Sequence, residues 1–531
     1  MLAETISVDD GRDPRGVHLD RPFDWTGTLV RGLARRDAFP HEVREFRIVE
    51  THISIVVLTG SYAYKLKKPV NLGFLDFTTL DARLRSCREE IRLNRRTAPD
   101  IYLGVVPITG TLGFPRVGGG GEVLDVAVKM RQFAPRSLMT EMLEDAPREV
   151  EAALVPFARR VADFHESAPR CTLARERYLE RAFNAAQANF FALEGRLHPP
   201  ERYPLAGLWR WVDAEWPRVK GALAERLDEG RVRECHGDLH CANVVRSGGR
   251  LVPFDCIEFS ETLRVADVMS DAAFLEMDLR ARGFPGYANA FLNGYLQRGG
   301  DYGALAVRPF FLVYRALVRA KVAAIAEEAM AISRYLVVAA ELGRTERKPA
   351  IILMHGLSGS GKTHLARAMA ARIDAVHLRS DVERKRLAGV PALEHSSRPE
   401  LYDVRTSEAT YRRLARLSGL VLANGQHAVV DAAFLAAEQR AGFERLASTF
   451  GWPLGIVHAQ APENVLRSRI DRRLAGADDE SDANQGVLTA QIERQESLTA
   501  AEAVRAIEVD TTRPDPLERC LGALRAKGLV R

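Results

Sequence analysis

Two short stretches of this sequence hold residue types and spacings suited to moving a phosphoryl group. The first is Gly356-Leu357-Ser358-Gly359-Ser360-Gly361-Lys362-Thr363, which fits G-x-x-x-x-G-K-T. The apolar run AIILMH precedes it and the helical pattern KTHLARAMAARI follows, the context this motif requires. Its glycines let backbone N–H groups turn inward around phosphates, at the positive end of a helix. Lys362 then reaches the β- and γ-phosphates, and Thr363 holds Mg²⁺. The bland alternative, a Gly/Ser-rich turn between strand and helix, does not need these flanks.

The second stretch is His236-Gly237-Asp238-Leu239-His240-Cys241-Ala242-Asn243, with Asp255 twelve residues further on. A protein-kinase-like fold uses such a set. One Asp takes the proton of the acceptor hydroxyl, while an Asn and a second Asp hold metal ions. The competing readings are a polar loop between two strands, with the histidines capping or buried, and a zinc site. The spacing of Cys235, His236, His240 and Cys241 does not suit zinc.

Each stretch needs helpers. For the phosphate loop, Asp381 follows a strand candidate in RSDVERK, at the sheet edge where ligands bind. It suits proton acceptance from a hydroxyl or a helix N-cap, and both remain open. Asp431 ends the apolar strand HAVVD, where it suits the Mg²⁺ shell or an ordinary turn. Arg467, Arg469, Arg472 and Arg473 crowd one helix before GADDESDANQG, as a charge-neutralising lid or a solvated basic face. For the second stretch, Lys65 in Ala63-Tyr64-Lys65 sits on a strand candidate, as in the kinase V-A-I-K element. Lys67 shares its side, and either lysine suits the phosphates. The helix at 79–96 offers Glu89 and Glu90. Leu80, Leu84, Cys87 and Ile91 form its apolar stripe. Glu89 points away from that stripe and Glu90 flanks it, so an internal ion pair selects Glu90.

The elements follow. Residues 45–70 read as a meander of short strands turning at Thr59-Gly60, and Val105-Val106 and Val123–Met130 as further strands joined by a turn at Gly118–Gly121. A helical pattern fills 136–230, with Phe157, Val161 and Phe164 on one stripe, and another fills 262–342. Between them, ECHGDLHCANVV and RLVPFDCIEF suggest two small strands with a loop between. The first 345 residues therefore read as a small β lobe and a larger helical lobe. The charged segment Gly343–Pro349 reads as a linker. Beyond it, strand candidates at 350–355, 375–378, 427–432, 454–459 and 506–509 alternate with helices, the signature of a parallel sheet covered on both faces. The expected organisation is 1–345, α+β and kinase-like, and 346–531, an α/β P-loop unit.

With 531 residues, 46% hydrophobic and 27% charged, the chain has material for more than one core. A net charge of +5 without a Lys/Arg block gives no dedicated nucleic-acid surface, and phosphate pockets account for the excess equally well. The six cysteines form no C-x-x-C pair and read as reduced thiols of a cytoplasmic protein. The N-terminus is acidic and lacks a signal-peptide h-region. The apolar run Phe310–Ala326 is interrupted by Arg315, Arg319 and Lys321, which argues against a membrane span.

Residues 350–510 resemble the P-loop small-molecule kinases, near gluconate kinase, polynucleotide 5′-kinase and the zeta-toxin group. That resemblance implies Asp381 as base and nucleotide contacts from lid arginines such as Arg469 and Arg473. The first half resembles the aminoglycoside phosphotransferase family, itself similar to protein kinases. On YAYKLKKPVNLGFLDF, RLNRRTAPDIYLGVVPI, HGDLHCANVV and DCIEFSETLRVADVMSDAAFL, the whole chain resembles a bacterial two-domain family joining that unit to an ATP-binding kinase. It implies Asp238 as base and Asn243 and Asp255 as metal ligands. Two features depart from kinases: Val49–Ser54 has no glycine where a phosphate-clamping loop is expected, and Asp-Cys-Ile replaces Asp-Phe-Gly. An aminoglycoside, a polycation, calls for an acidic pocket; Glu258, Glu261, Asp267 and Asp271 follow Asp255, but these residues fit structural roles as well, and antibiotic resistance is not inferred. The function expected is transfer of the γ-phosphoryl of ATP, with Mg²⁺, to a hydroxyl of a small molecule. The alternatives are a regulatory ATP-binding protein or protein kinase with one degenerate site, and a zeta-toxin-like nucleotide-sugar kinase.

Overall fold

The computed structural model describes residues 25–73, 75–197, 202–344, 348–390, 403–475 and 484–530. The polar stretch 1–24, residues 345–347 of the expected linker and residues 476–483 of GADDESDANQG lie outside them.

The chain first builds a six-stranded antiparallel sheet from β1 (Arg47–Glu50), β2 (Ser54–Leu58), β3 (Tyr62–Lys67), β4 (Tyr102–Thr111), β5 (Phe114–Val117) and β6 (Val123–Arg131). Their order is β1-β2-β3-β6-β4-β5. The single glycine turn expected between β4 and β6 is longer, because β5 is added before it. Pro115 sits on that outermost strand, where its missing N–H costs no ladder bond. Alternation gives β3 two faces. Tyr64 and Leu66 join the core beneath α1 (Trp25–Leu33), while Ala63 joins the core beneath α2 (Leu80–Asn94). Lys65 and Lys67 share the α2 face by period two. Thr79 caps α2 by accepting from the Ala82 N–H.

The helical pattern expected over 136–230 resolves into α3 (Met139–Asp145), α4 (Pro147–Ser167), α5 (Arg175–Glu194) and α6 (Arg202–Asp228). Phe157 and Val161 are buried as expected. Phe164 instead lies half-buried under the Arg96 guanidinium, 5.0 Å from its ring centre. After β7 (Val232–Glu234), the hairpin β8 (Val244–Ser247) and β9 (Arg250–Pro253) turns at Gly248-Gly249, both with positive φ. That is the two-residue turn whose twist matches the strands. Then come α7 (Glu261–Arg264), β10 (Val265–Asp267), α8 (Val268–Ala281), α9 (Pro285–Gly299), α10 (Arg308–Ile325) and α11 (Ala329–Leu342). Among the described residues no helix is long and apolar enough to cross a membrane. The apolar run read in the sequence forms α10, whose Arg315 donates to the Gly237 carbonyl at 2.9 Å. All six cysteines are free thiols.

The last part is a parallel sheet of β11 (Ile351–His355), β12 (Val376–Arg379), β13 (Ala428–Asp431), β14 (Leu454–Gln460) and β15 (Ala506–Asp510), in order β12-β13-β11-β14-β15. Between and around these strands run α12 (Lys362–Ile373), α13 (Ser380–Leu387), α14 (Val404–Ala423), α15 (Ala437–Phe450), α16 (Glu463–Ala475), α17 (Gln485–Arg494), α18 (Ala500–Arg505) and α19 (Pro516–Ala526). Ile352, Met354, Val429 and Val457 pack with α12 and α19. The opposite face, with Ile351, Leu353, Val376, Leu378, Val430 and Ile456, belongs to the same continuous core as the helical lobe. Apolar contact therefore runs unbroken across the expected linker boundary.

Candidate functional site

The first site forms where the β lobe meets the HGD loop. On β3, Lys65 Nζ lies 2.9 Å from Glu90 Oε1 and 2.5 Å from Asp255 Oδ1. Lys67 lies deeper, fully buried, 2.5 Å from Glu90 Oε2 and paired with Glu258. Both lysines thus meet Glu90, and exposure separates them. Asp255 is 41% exposed and opens Lys65 to the cleft, whereas Lys67 has no route to a ligand. Burial works against the Glu90 carboxylate, but the two ammonium groups hold it down to about 2. Glu89 faces away from the lysines, part-exposed and paired with Arg92 and Arg264.

Replacing Lys67 by Met should leave Glu90 and Glu258 buried with one fewer cation. A buried pair broken from one side costs about 3–5 kcal/mol. Lys65→Met should cost less stability and more nucleotide affinity. Urea unfolding alongside nucleotide titration separates the two.

The HGD loop is held from behind. Asp271 accepts from the His236 N–H at 2.8 Å and the Gly237 N–H at 2.9 Å, and His165 Nε2 lies 3.2 Å from it. Burial keeps His236 neutral, so its Nε2 donates to the Phe254 carbonyl at 2.9 Å while Nδ1 accepts from the Asp238 N–H. Asp238 itself meets Asn243 Nδ2 at 2.9 Å and His240 Nε2 at 3.3 Å, and is 35% exposed. Burial opposes its charge, yet His240 holds its carboxyl well below the usual carboxylate range. The hairpin returns the chain so that the Phe254 N–H donates to the Asn243 carbonyl at 3.0 Å, which brings the residue next to Asp255 against Asn243. Asp255 adopts φ +63°, a left-handed conformation that Asp tolerates better than most residues.

Of the four acidic residues after Asp255, three take structural roles: Glu258 pairs with Lys67, Asp267 with Arg226, and Asp271 accepts from the HGD backbone, while Glu261 is exposed. At the β1–β2 turn, Thr51 Oγ1 accepts from the Ser54 N–H at 3.0 Å and the Ile53 N–H at 3.4 Å, so those amides are already engaged. His165, Cys235 and Asp271 have donor atoms within 4.8 Å of one another, the one such cluster among the described residues. It does not suit a metal, because both Asp271 oxygens serve backbone donors, both His165 nitrogens are engaged and burial keeps the Cys235 thiol protonated.

The second site lies at the carboxyl edge of the parallel sheet. The phosphate loop leaves β11, and α12 begins at Lys362, with Thr363 in its first turn. At Gly359, φ is +82° and a Cβ would lie 2.6 Å from the Leu466 carbonyl, so only glycine lets the loop approach α16 this closely. Lys362 Nζ donates to the Leu357 carbonyl at 3.3 Å, Ser360 is buried, and the Ser358 N–H donates to Gln491 at 2.8 Å. Arg469 is no free lid residue. It donates to the Gly359 carbonyl at 3.2 Å and to Thr511 Oγ1 at 2.9 Å, which braces the loop. The Arg473 side chain lies outside the described residues.

Asp381 stands in the first turn of α13, paired with Arg384 at 3.0 Å. It is not the N-cap; that position is Arg379, which makes no side-chain cap bond. Asp431 closes β13 and is the register partner of Arg379 on β12 and of Met354 on β11. Burial raises its carboxyl, but a hydrogen bond from His377, 3.2 Å away, brings it down to about 2. Its Oδ1 is buried with no partner in the described structure, which fits a carboxylate oxygen kept for a cation. Sequence reading missed His377, Thr511, Gln491, Lys67's pairing and the supporting role of Asp271. Nothing local marks them, since each acts on a residue far off in sequence.

A phosphotransferase enzyme family model matches residues 76–308, and an AAA domain model matches residues 351–498. Relatives include Rv2004c of Mycobacterium tuberculosis and Mb2027c of Mycobacterium bovis. Each is 31% identical over 461 residues, covering 84% of this chain and 89% of the relative. Solved structures similar to part of the chain include a gluconokinase from Sinorhizobium meliloti 1021, 22% identical with TM-score 0.26, covering 34% of this chain and 95% of that one. A sugar kinase from Janibacter sp. HTCC2649 is 19% identical with TM-score 0.26 and the same coverage. Fold and family together define a phosphotransferase of the kinase type. The chain belongs to the two-domain family that includes these mycobacterial proteins, with an aminoglycoside-phosphotransferase-like unit followed by a P-loop kinase unit.

Proposed function

We propose that the chain is an ATP-dependent kinase with two nucleotide sites, in units 1–345 and 346–531, that phosphorylates a hydroxyl of a small molecule. The observation that carries this reading is the convergence of Lys65, Glu90 and Asp255 on one cleft, from elements up to 190 residues apart, in a chain that also holds a complete phosphate loop. In each site the bond between the γ-phosphorus and its bridging oxygen breaks, and a bond from the acceptor oxygen to phosphorus forms. The hydroxyl proton passes to Asp238 in the first site and Asp381 in the second, and ADP leaves. Lys65 and Lys362 hold the phosphates. Mg²⁺, where bound, neutralises charge developing on the phosphoryl oxygens; Asn243 and Asp255 would hold it in one site, Thr363 and Asp431 in the other. Arg469 keeps the phosphate loop in shape. With Glu258, Asp267 and Asp271 engaged internally, few free carboxylates remain for a polycation, which favours a neutral or anionic acceptor.

The engaged amides at Thr51–Ser54 favour a second reading, in which the first site senses ATP without turning it over. The test follows ADP release with ATP, Mg²⁺ and panels of sugars, nucleosides and aminoglycosides. Asp238→Asn should remove the part of acceptor-stimulated turnover that belongs to the first site, by about 10²–10⁴-fold for lost general base catalysis. If no acceptor distinguishes Asp238→Asn from wild type, the first site is regulatory.

A further inference from the structure

We propose that Asn293 and Gln297 of α9, in the N-terminal unit, are positioning residues for Asp431 in the P-loop site, acting through β12 and His377. The proposal rests on the reading of Asp431 as a metal carboxylate.

β12 is an edge strand, so alternate backbone groups on its outer side have no strand to pair with. They are the Ala375 carbonyl and both the N–H and carbonyl of His377. Amide side chains of α9 satisfy all three. Asn289 Nδ2 and Asn293 Nδ2 each donate to the Ala375 carbonyl at 3.0 Å. Asn293 Oδ1 accepts from the His377 N–H at 2.7 Å, and Gln297 Nε2 donates to the His377 carbonyl at 3.0 Å. The spacing has a simple origin. Four residues of helix advance about 6.0 Å, and two residues of strand advance about 6.6 Å. A helix lying along a strand therefore presents amides at i, i+4 and i+8 nearly in step with alternate peptide groups. All three amides are buried, in a helix otherwise rich in buried Phe, Leu and Ala.

Bare edge cover would not need this placement. Asn293 and Gln297 clamp one residue, His377, on both sides of its Cα. That fixes the origin of a buried imidazole whose Nε2 lies 3.2 Å from Asp431 Oδ2. The next basic neighbour of Asp431, Arg379 Nε, is 3.8 Å away. With Oδ2 tied to His377, the unpartnered Oδ1 is held in one orientation. The far side of α9 is equally fixed, because Tyr295 Oη meets His165 Nδ1 at 2.9 Å. The helix that props the HGD loop's support thus also props the carboxylate of the other site.

The experiment uses the full chain in an Asp255→Asn background, which removes the first metal site. Mn²⁺ binding with ADP is measured by electron paramagnetic resonance, together with the Mg²⁺ concentration for half-maximal turnover and the melting temperature. Asn293→Leu, Gln297→Leu and His377→Phe should each weaken Mn²⁺ binding about tenfold, the usual scale for losing a partner that orients a metal ligand. Asn289→Leu touches no group of residue 377; it removes one acceptor of Asn293 Nδ2, which keeps the Ala375 carbonyl, so it should lower the melting temperature while leaving Mn²⁺ affinity within about twofold. Unchanged Mn²⁺ affinity in both His377→Phe and Gln297→Leu, with only lower melting, would overturn the proposal. If the parent protein binds Mn²⁺ with ADP no better than its Asp431→Asn variant, the metal reading of Asp431 itself falls, a result separable from failure of the α9 variants.

Discussion

Lys362→Ala is expected to lower phosphoryl transfer at the P-loop site by about 10²–10³-fold, the usual result of removing one preorganised charge from a place where charge develops. The glycine loop and its amides remain, so nucleotide binding should weaken less than turnover falls. Lys362 opens α12, is part-exposed and donates to the Leu357 carbonyl. Alanine is the best helix former, and the loop keeps its braces from Arg469, Thr511 and Gln491. Stability should therefore change by no more than about 0.5 kcal/mol. The measurement is kcat and KM for ATP at saturating acceptor, in an Asp238→Asn background so that only the second site reports. A fall in kcat matched by an equal fall in kcat/KM places Lys362 in the transition state, while a rise in KM alone makes it a ground-state contact. Acceptor-stimulated turnover that survives unchanged would remove the P-loop unit from the list of active kinases.

The second large effect concerns Asp271. Asp271→Asn keeps the volume but replaces one acceptor oxygen with a donor. The His236 and Gly237 N–H groups each need one of its two oxygens, and His165 needs one as well. Whichever way the amide turns, an N–H faces an NH₂. Each buried donor left without an acceptor costs about 1–3 kcal/mol, so a loss of about 3 kcal/mol is expected. The HGD loop should shift with it, and turnover at the first site should fall although Asp271 touches no substrate. The pH dependence supplies an independent check. Burial raises the Asp271 carboxyl, but the hydrogen bond from His165 brings it down to about 2, below its unfolded value near 3.9. A carboxylate lowered on folding contributes stability that is fully present above the unfolded value and is lost as pH falls through the folded one. The gap in unfolding free energy between wild type and Asp271→Asn should therefore be constant from pH 7 to 5 and narrow below about pH 4. A gap that is flat down to the acid limit would remove the ionised carboxylate from the explanation.

Local patterns read reliably wherever one element contains its own signal. The five parallel strands came from apolar runs placed between helical patterns, and each is present close to its expected span. The phosphate loop was visible because strand, glycines, lysine and helix are contiguous. The choice of Glu90 over Glu89 came from one helix's apolar stripe, and the structure buries Glu90 against both lysines. Readings stayed open where a residue's partner comes from elsewhere. Arg469, on a helix that read as a charge-neutralising lid or a solvated basic face, is folded onto the loop by Thr511, brought alongside by β15. Glu258, Asp267 and Asp271 suited an acidic pocket or structural roles equally in the sequence, and only their partners decide: their charges are spent on Lys67, Arg226 and backbone N–H groups. β5 went unseen because a four-residue strand containing Pro115 has almost no pattern to detect.

By itself the sequence determined that this protein carries a phosphate loop on a parallel α/β sheet and a kinase-like Asp–Asn–Asp set in its first half, because both motifs are built by neighbours along the chain. Tertiary structure alone decided which of Lys65 and Lys67 faces the cleft, that Asp271 holds the HGD loop and His377 holds Asp431, and that the two halves share one core. Those outcomes depend on burial and on pairings between residues 23 to 190 positions apart, as with Lys67 and Glu90 or Lys65 and Asp255. Solvent exclusion and the hydrogen-bond demand of buried groups decide such pairings, and both exist only once the chain has closed around them.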